Sequence, residues 1–301
     1  MSENSKIEWT DHTFSPWMGC TKISPGCDNC YAEAMMDTRL RRVKWGAGQL
    51  RARTSTANWR EPARWNAKHE EFFAANGRRQ RVFCSSLADV FDNAVPAIWR
   101  RDLGALIEST PNLDWLLLTK RIGNAGAMLV DMFPGGMPNH VWLGATVVNQ
   151  DEADRDVPKL LATPAHVRFL SIEPMLGPID LGRAWHGEAA VGGRCPGRYL
   201  PALREVPRPS ISWVIAGGES GPGARPAHPD WFRSLRDQCA ETGVAFFFKQ
   251  WGDWSAPGVS FPDDRPALAE SDELARFKVG KRAAGRMLDG RTHDEFPENT
   301  R

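Results

Sequence analysis

Residues 115–121 read Trp115-Leu116-Leu117-Leu118-Thr119-Lys120-Arg121, and on this stretch the fold turns. A continuous apolar run without alternation is what a parallel strand covered on both faces requires. It closes on a hydroxyl and two cations, and a helix-length segment follows at 122–132. The same unit recurs in Val82-Phe83-Cys84-Ser85-Ser86, Val141-Trp142-Leu143-Gly144-Ala145-Thr146, Val167-Arg168-Phe169-Leu170-Ser171-Ile172, Trp213-Val214-Ile215-Ala216 and Val244-Ala245-Phe246-Phe247-Phe248. Helix-length segments lie near 96–109, 151–162 and 229–241. Pro96, Asp151 and Pro229-Asp230 suit helix starts, and Gly243 suits a stop. Strand–helix alternation repeated this often predicts an α/β fold with a parallel sheet.

Polar residues close each run: Ser85-Ser86, Thr119-Lys120-Arg121, Thr146, Ser171-Ile172-Glu173-Pro174, Gly217-Gly218-Glu219-Ser220 and Lys249-Gln250-Trp251. A barrel gathers all C-terminal strand ends at one mouth. An open doubly wound sheet uses only those at its switch point. The expectation is therefore a partial (β/α) barrel, parallel strands with outer helices, over residues 1–255. It includes a basic helical segment at 39–81 and a Gly/Arg/Pro-rich insertion at 181–210. A C-terminal extension follows over 256–301, with one helix at 268–278.

The chain has 301 residues, 38 Lys plus Arg against 37 Asp plus Glu, and a net charge of +1. That excludes a polycationic nucleic-acid coat but not a local basic surface. Hydrophobic residues at 42% and charged residues at 25% are those of a globular chain rather than a disordered one. No apolar run approaches the roughly 18 residues of a membrane span, and none stands behind the N-terminal Met1–Lys6 as a signal peptide would. A cytoplasmic location without membrane contact is expected. Six cysteines in such a chain are not expected to form a disulfide framework.

Three of them form Cys-x6-Cys-x2-Cys, at Cys20, Cys27 and Cys30, on a loop bearing Gly19, Pro25 and Gly26. Three thiolates on one loop can converge on one centre, and soft ligands suit zinc or an iron–sulfur cluster. Structural zinc needs a fourth ligand, and His12 is the nearby candidate. A four-iron cluster held by three cysteines leaves one iron open for a substrate or cofactor. Three free thiols on a loop are the plain alternative. Cys84, Cys195 and Cys239 are read as strand core, insertion and helix, not ligands.

A three-cysteine loop at the start of a βα-repeat chain resembles the radical S-adenosylmethionine (SAM) enzymes. More closely, the chain resembles the phage Gp37/Gp68 family, DUF5131. The resemblance rests on Ile7-Glu8-Trp9-Thr10, Gly19-Cys20 through Cys30-Tyr31-Ala32, Trp59-Arg60-Glu61-Pro62, Ser86-Leu87-Ala88-Asp89-Val90-Phe91, Leu118-Thr119-Lys120-Arg121, Ser171-Ile172-Glu173-Pro174-Met175 and Gly217-Gly218-Glu219-Ser220-Gly221. It implies a radical SAM-type barrel with a [4Fe-4S] cluster on Cys20, Cys27 and Cys30. It further implies SAM on the open iron, cleaved reductively to methionine and a 5′-deoxyadenosyl radical, with an external electron donor. The sequence departs from the superfamily pattern in two places. The first cysteine gap is six where three is usual. Gly217-Gly218-Glu219 follows a late strand, whereas the usual Gly-Gly-Glu follows the second; Cys84-Ser85-Ser86 stands in that early place.

Ser85, Ser86, Glu173, Gly217, Gly218 and Glu219 are therefore the candidate cofactor contacts. A tight turn accounts for the glycine pair equally well, and a salt bridge for Glu173. Asp89 reads as a cap or loop anchor. Lys120, Arg121 and Lys249 could hold a carboxylate or phosphate. Residues 39–81 carry twelve Lys/Arg, among them Arg41, Arg42 and Arg51, against three acids. Trp45, Trp59 and Trp65 are interleaved. Basic residues with aromatics can track a phosphate backbone and stack bases, so a nucleic-acid partner or substrate is expected. A solvated face whose tryptophans pack inward is the other reading. A non-catalytic nucleic-acid-binding protein with a structural zinc is the alternative to the enzyme.

Overall fold

A computed structural model describes residues 3–186, 210–256 and 277–297. In chain order its elements begin with β1 (His12–Thr13), β2 (Trp17–Met18), α1 (Tyr31–Glu33) running into a π-helical turn (Ala34–Arg39), and β3 (Ala52–Arg53). Next come α2 (Thr56–Ala67), α3 (His69–Asn76), β4 (Gln80–Cys84), α4 (Ala97–Glu108), β5 (Leu113–Thr119), α5 (Ile122–Met132) and β6 (Val141–Thr146). The chain continues through α6 (Gln150–Ala162), β7 (Val167–Ile172), α7 (Leu181–His186), β8 (Trp213–Gly217), α8 (Pro229–Thr242), β9 (Ala245–Gln250) and α9 (Lys281–Ala284). No helix among the described residues is long and apolar enough to cross a membrane.

The fold is α/β. Seven parallel strands follow the order β1-β4-β5-β6-β7-β8-β9. The order advances and never reverses, so there is no switch point. Right-handed crossovers then put successive helices on the same face. That is the winding of a partial (β/α) barrel, as expected, and not of a doubly wound sheet.

The chain divides into two compact units. One takes residues 1–146, 163–171 and 297–301, the other 147–162 and 172–296. The first contains β1 and β4 to β7, in register through pairs such as His12↔Val82, Val82↔Trp115, Leu117↔Leu143 and Leu143↔Arg168. Its core is built on β5, where Leu113, Trp115, Leu116 and Leu117 are fully buried. Each such side chain contributes about 2 kcal/mol relative to an exposed one. β1 was not foreseen, because two residues, one histidine and one threonine, carry no strand pattern. A two-stranded antiparallel ribbon, Trp17↔Arg53 and Met18↔Ala52, closes the neck of the excursion that holds the three cysteines.

In the second unit β8 and β9 pair in parallel, Val214↔Phe246 and Ile215↔Phe247, and α8 packs Phe232 on Phe248 and Trp251. Part of the expected C-terminal extension packs on this unit. Residues 285–295 run back along β9, with Phe248 N–H donating to the His293 carbonyl at 2.9 Å and Trp251 N–H to that of Gly285 at 3.3 Å. Asp289 joins them to α8 through Arg233 and Arg236 at 2.8 and 2.6 Å. Most of the expected insertion, 187–209, and most of the expected helix, 268–276, lie outside the described residues. Lys278 forms a bridge with Trp254 instead of ending a helix.

Candidate functional site

In the first unit the cysteine loop leaves β1 and β2 and lies over the C-terminal ends of β4 and β5. At its start Gly19 has φ +100°, and a Cβ there would stand 3.0 Å from Val43 Cγ2. Only glycine suits that backbone in that space. Its N–H donates to the Leu87 carbonyl at 3.1 Å, which ties the loop to the segment after β4. Cys27 ends a short 3-10 turn whose Gly26 N–H donates to Ser24 Oγ at 3.0 Å. Cys30 precedes α1, and the Tyr31 hydroxyl donates to the Ser86 carbonyl at 2.6 Å. A satellite core of Ala32, Met36, Val43 and Leu87 supports this side, with Cys30, Met35 and Trp45 against it.

Two buried ion pairs meet the loop beside Cys20. Arg121, just after β5, places Nη1 3.3 Å from Cys20 Sγ and 3.3 Å from Asp89 Oδ2, and its Nη2 donates to the Thr21 carbonyl at 2.7 Å. Asp89 is itself held by Thr119 Oγ1 at 2.7 Å and by the N–H groups of Phe91 and Lys120. Arg51 binds Asp92 at 2.7 Å, and its Nη2 donates to Thr21 Oγ1 at 2.8 Å. Burial pushes the Cys20 thiol up to about 11, with the Arg121 guanidinium pulling the other way. Cys20, Cys27 and Cys30 are free and half-buried, whereas Cys84 and Cys239 are fully buried. Burial raises both of the latter thiols. The three loop sulfurs are not drawn into one cluster: among the described residues no group of three His, Cys, Asp or Glu is placed to hold an ion.

Ser85 Oγ, just past β4, is buried without a hydrogen-bond partner. Ser86 Oγ lies 3.3 Å from Ser15 Oγ. His12 is engaged elsewhere. It is buried in β1, its ring stacks on Trp65 at 4.2 Å, and its Nδ1 accepts from Asn4 N–H. Burial lowers its pKa, which leaves it neutral.

In the second unit Lys249 Nζ reaches both oxygens of Glu173, at 2.7 and 2.8 Å. Gln250 Nε2 lies 3.3 Å from Glu173 Oε1 and 3.2 Å from Ser220 Oγ. Glu219 is bound by Arg225 through Nε, Nη2 and the backbone N–H, all within 2.8 Å. A Cβ on Gly218 would stand 2.0 Å from the Trp251 carbonyl oxygen. The glycine thus answers to the close approach of the chain leaving β9.

A family model for DUF5131, described as a protein of unknown function, matches residues 4–297. The chain belongs to the DUF5131 family. Among curated proteins no sequence relative matches it. A solved structure of a point mutant of spore photoproduct lyase is similar at a TM-score of 0.38 and 8% identity. The likeness covers 87% of this DUF5131 chain and 66% of that one, slightly under two thirds of its length.

The DUF5131 chain brings Cys20, Ser86, Arg121 and Arg51 into one neighbourhood. Lys120 donates its backbone N–H to Asp89 there. Glu173, Gly217, Gly218, Glu219 and Lys249 belong to the second unit. Most cations of 39–81 are neutralised: Lys44 by Asp37, Arg51 by Asp92, Arg53 by Asp102, Arg64 by Glu61, Lys68 by Glu3, Arg78 by Asp11 and Arg79 by Asp114. Arg81 is buried. Arg39, Arg41, Arg42 and Arg60 are exposed and form no ion pair among the described residues. The tryptophans face inward: Trp65 on His12, Trp59 against Phe14 under Arg53, and Trp45 on the satellite core. Sequence reasoning missed Thr21, the point on which both arginines converge, because its only signal is adjacency to Cys20.

Proposed function

We propose that this DUF5131 chain is a radical SAM-type iron–sulfur enzyme, with Cys20, Cys27 and Cys30 as the ligands of a [4Fe-4S] cluster. The observation that carries the reading is three free thiols on one loop seated over the C-terminal ends of parallel strands. The donor set fits the group: three soft ligands without an oxygen ligand among them. When bound, such a cluster supplies an open iron for the amine and carboxylate of SAM and the electron for its cleavage.

The chain's own residues hold and screen that place. Gly19 and Tyr31 tie the two ends of the loop to the segment after β4. The satellite core keeps water from one side of Cys30. Ser85 Oγ, buried and unpartnered, is a hydroxyl whose lost solvation a polar ligand group would restore. Arg39, Arg41 and Arg42, exposed beside Leu40 and, like Arg60, without an ion pair among the described residues, are open to a phosphate backbone. A nucleic acid or nucleotide is the substrate class they favour.

The test is iron, sulfide and zinc content with visible absorbance and EPR on protein prepared without oxygen. About four irons and four sulfides per chain, lost in the Cys20→Ala, Cys27→Ala, Cys30→Ala triple variant, are expected. One zinc and no iron after reconstitution overturns the reading in favour of a zinc-bearing binding protein.

A further inference from the structure

We infer that Arg121 and Arg51 serve the metal ligands, not the substrate: they are positioning residues that grip Thr21 from two sides and so fix Cys20 as the ligand already in place. The inference rests on the cluster reading above for its purpose, and on the hydrogen bonds for its substance. Arg121 takes the Thr21 carbonyl and approaches Cys20 Sγ, and Arg51 takes the Thr21 hydroxyl. Neither guanidinium can reach a substrate as built. The Arg121 side chain is 9% exposed and the Arg51 side chain 1%. Their carboxylate partners, Asp89 and Asp92, are also buried and anchored by backbone N–H groups: Asp89 by those of Phe91 and of Lys120 after β5, Asp92 by that of Ala94.

Two buried ion pairs rarely return more than their desolvation costs. What this pair adds is direction, since each sends its Nη2 to Thr21, while Arg51 Nη1 also holds the Gln49 carbonyl at 2.9 Å. Cys27 and Cys30 differ: among the described residues no hydrogen bond reaches either sulfur. The sulfur of the first ligand is thus met by a side chain, and among the described residues those of the other two are not. A guanidinium N–H on a ligating sulfur favours the reduced, more negative state of a cluster, and so raises its potential.

The experiment compares wild type with Arg121→Gln, Arg121→Lys and the milder Thr21→Val, which removes only the Arg51 acceptor. Apo protein is followed by hydrogen exchange over residues 19–46, and reconstituted protein by potentiometry and chelator challenge. The Gly19 and Gly46 amides, bonded to the Leu87 and Cys20 carbonyls, should exchange faster in Arg121→Gln than in wild type, and less so in Thr21→Val, with Gly26–Asp28 unchanged. Arg121→Gln should shift the midpoint potential negative and lose iron about 10-fold more readily. Arg121→Lys should restore part of the potential but not the retention. Unchanged exchange at Gly19 and Gly46 in Arg121→Gln overturns the clamp whatever the metal. Wild type without iron, with Gly19 and Gly46 exchanging faster in Arg121→Gln, overturns the cluster reading and leaves the clamp standing. An unchanged potential in Arg121→Gln removes the contact to the sulfur.

Discussion

Gly218 and Glu219 illustrate how a side chain's meaning depends on partners far along the chain. As a pattern, Gly-Gly-Glu after a strand suits a ligand's polar head. In the fold, Gly218 is glycine because the Trp251 carbonyl would stand 2.0 Å from a Cβ, and Glu219 is spent on Arg225. Gly218→Ala should therefore cost about 3 kcal/mol or more through overpacking against backbone that cannot yield. Thermal melts would report it, and an unchanged midpoint would show that the two segments are not held so closely. Spacing alone put Cys20, Cys27 and Cys30 on one loop, and the structure leaves all three thiols free. Ser85 was legible as a position, but not as a buried hydroxyl lacking a partner. That property depends on what surrounds it, and spacing does not encode it.

Among the elements, the long strands were legible because burial on both faces writes them as unbroken apolar runs. The run at 82–86 forms its strand at Gln80–Cys84, which leaves Ser85 and Ser86 just beyond the end. β1 is held by different means. Asp11, immediately before it, accepts from both Nη atoms of Arg78, at 2.6 and 2.8 Å, and from Arg81 N–H at 2.8 Å. Burial alone would raise its pKa, yet the hydrogen bonds of Arg78 and Arg81 outweigh burial and hold it below the usual carboxylate range. A carboxyl with a depressed folded pKa lends stability that is present above about pH 4 and is lost as pH falls through the folded value. Asp11→Asn should cost about 2 kcal/mol at pH 7. The gap from wild type should narrow as pH is lowered below about 4, because wild type alone loses the contribution. Chemical denaturation at several pH values would measure it, and a gap constant with pH would refute the assignment.

Across the whole molecule, the charge count was legible and its distribution was not. Twelve cations between 39 and 81 suggest a broad polyanion surface. Their neutralising acids include Asp92 and Asp102, which lie 41 and 49 residues from Arg51 and Arg53. Only the fold brings them together, and it narrows the free set to Arg39, Arg41, Arg42 and Arg60. Reversing Arg39, Arg41 and Arg42 to Glu should weaken single-stranded oligonucleotide binding at least about 10-fold. It should also flatten the salt dependence by about two units of slope. Reversal of exposed Arg64, already paired with Glu61, should do much less. Fluorescence anisotropy against salt would decide, and wild type that binds nothing would set the nucleic-acid substrate aside.

Strand order also bears on how the chain is made. β4, β5, β6 and β7 pair in the order of synthesis, so each apolar strand emerges after the neighbour it joins. Within that run no strand has to wait beside the ribosome with an open, sticky edge for a distant partner. The exception is β1, which must wait for β4. It is two residues long, a histidine and a threonine, and so offers other nascent chains almost nothing to adhere to while it waits.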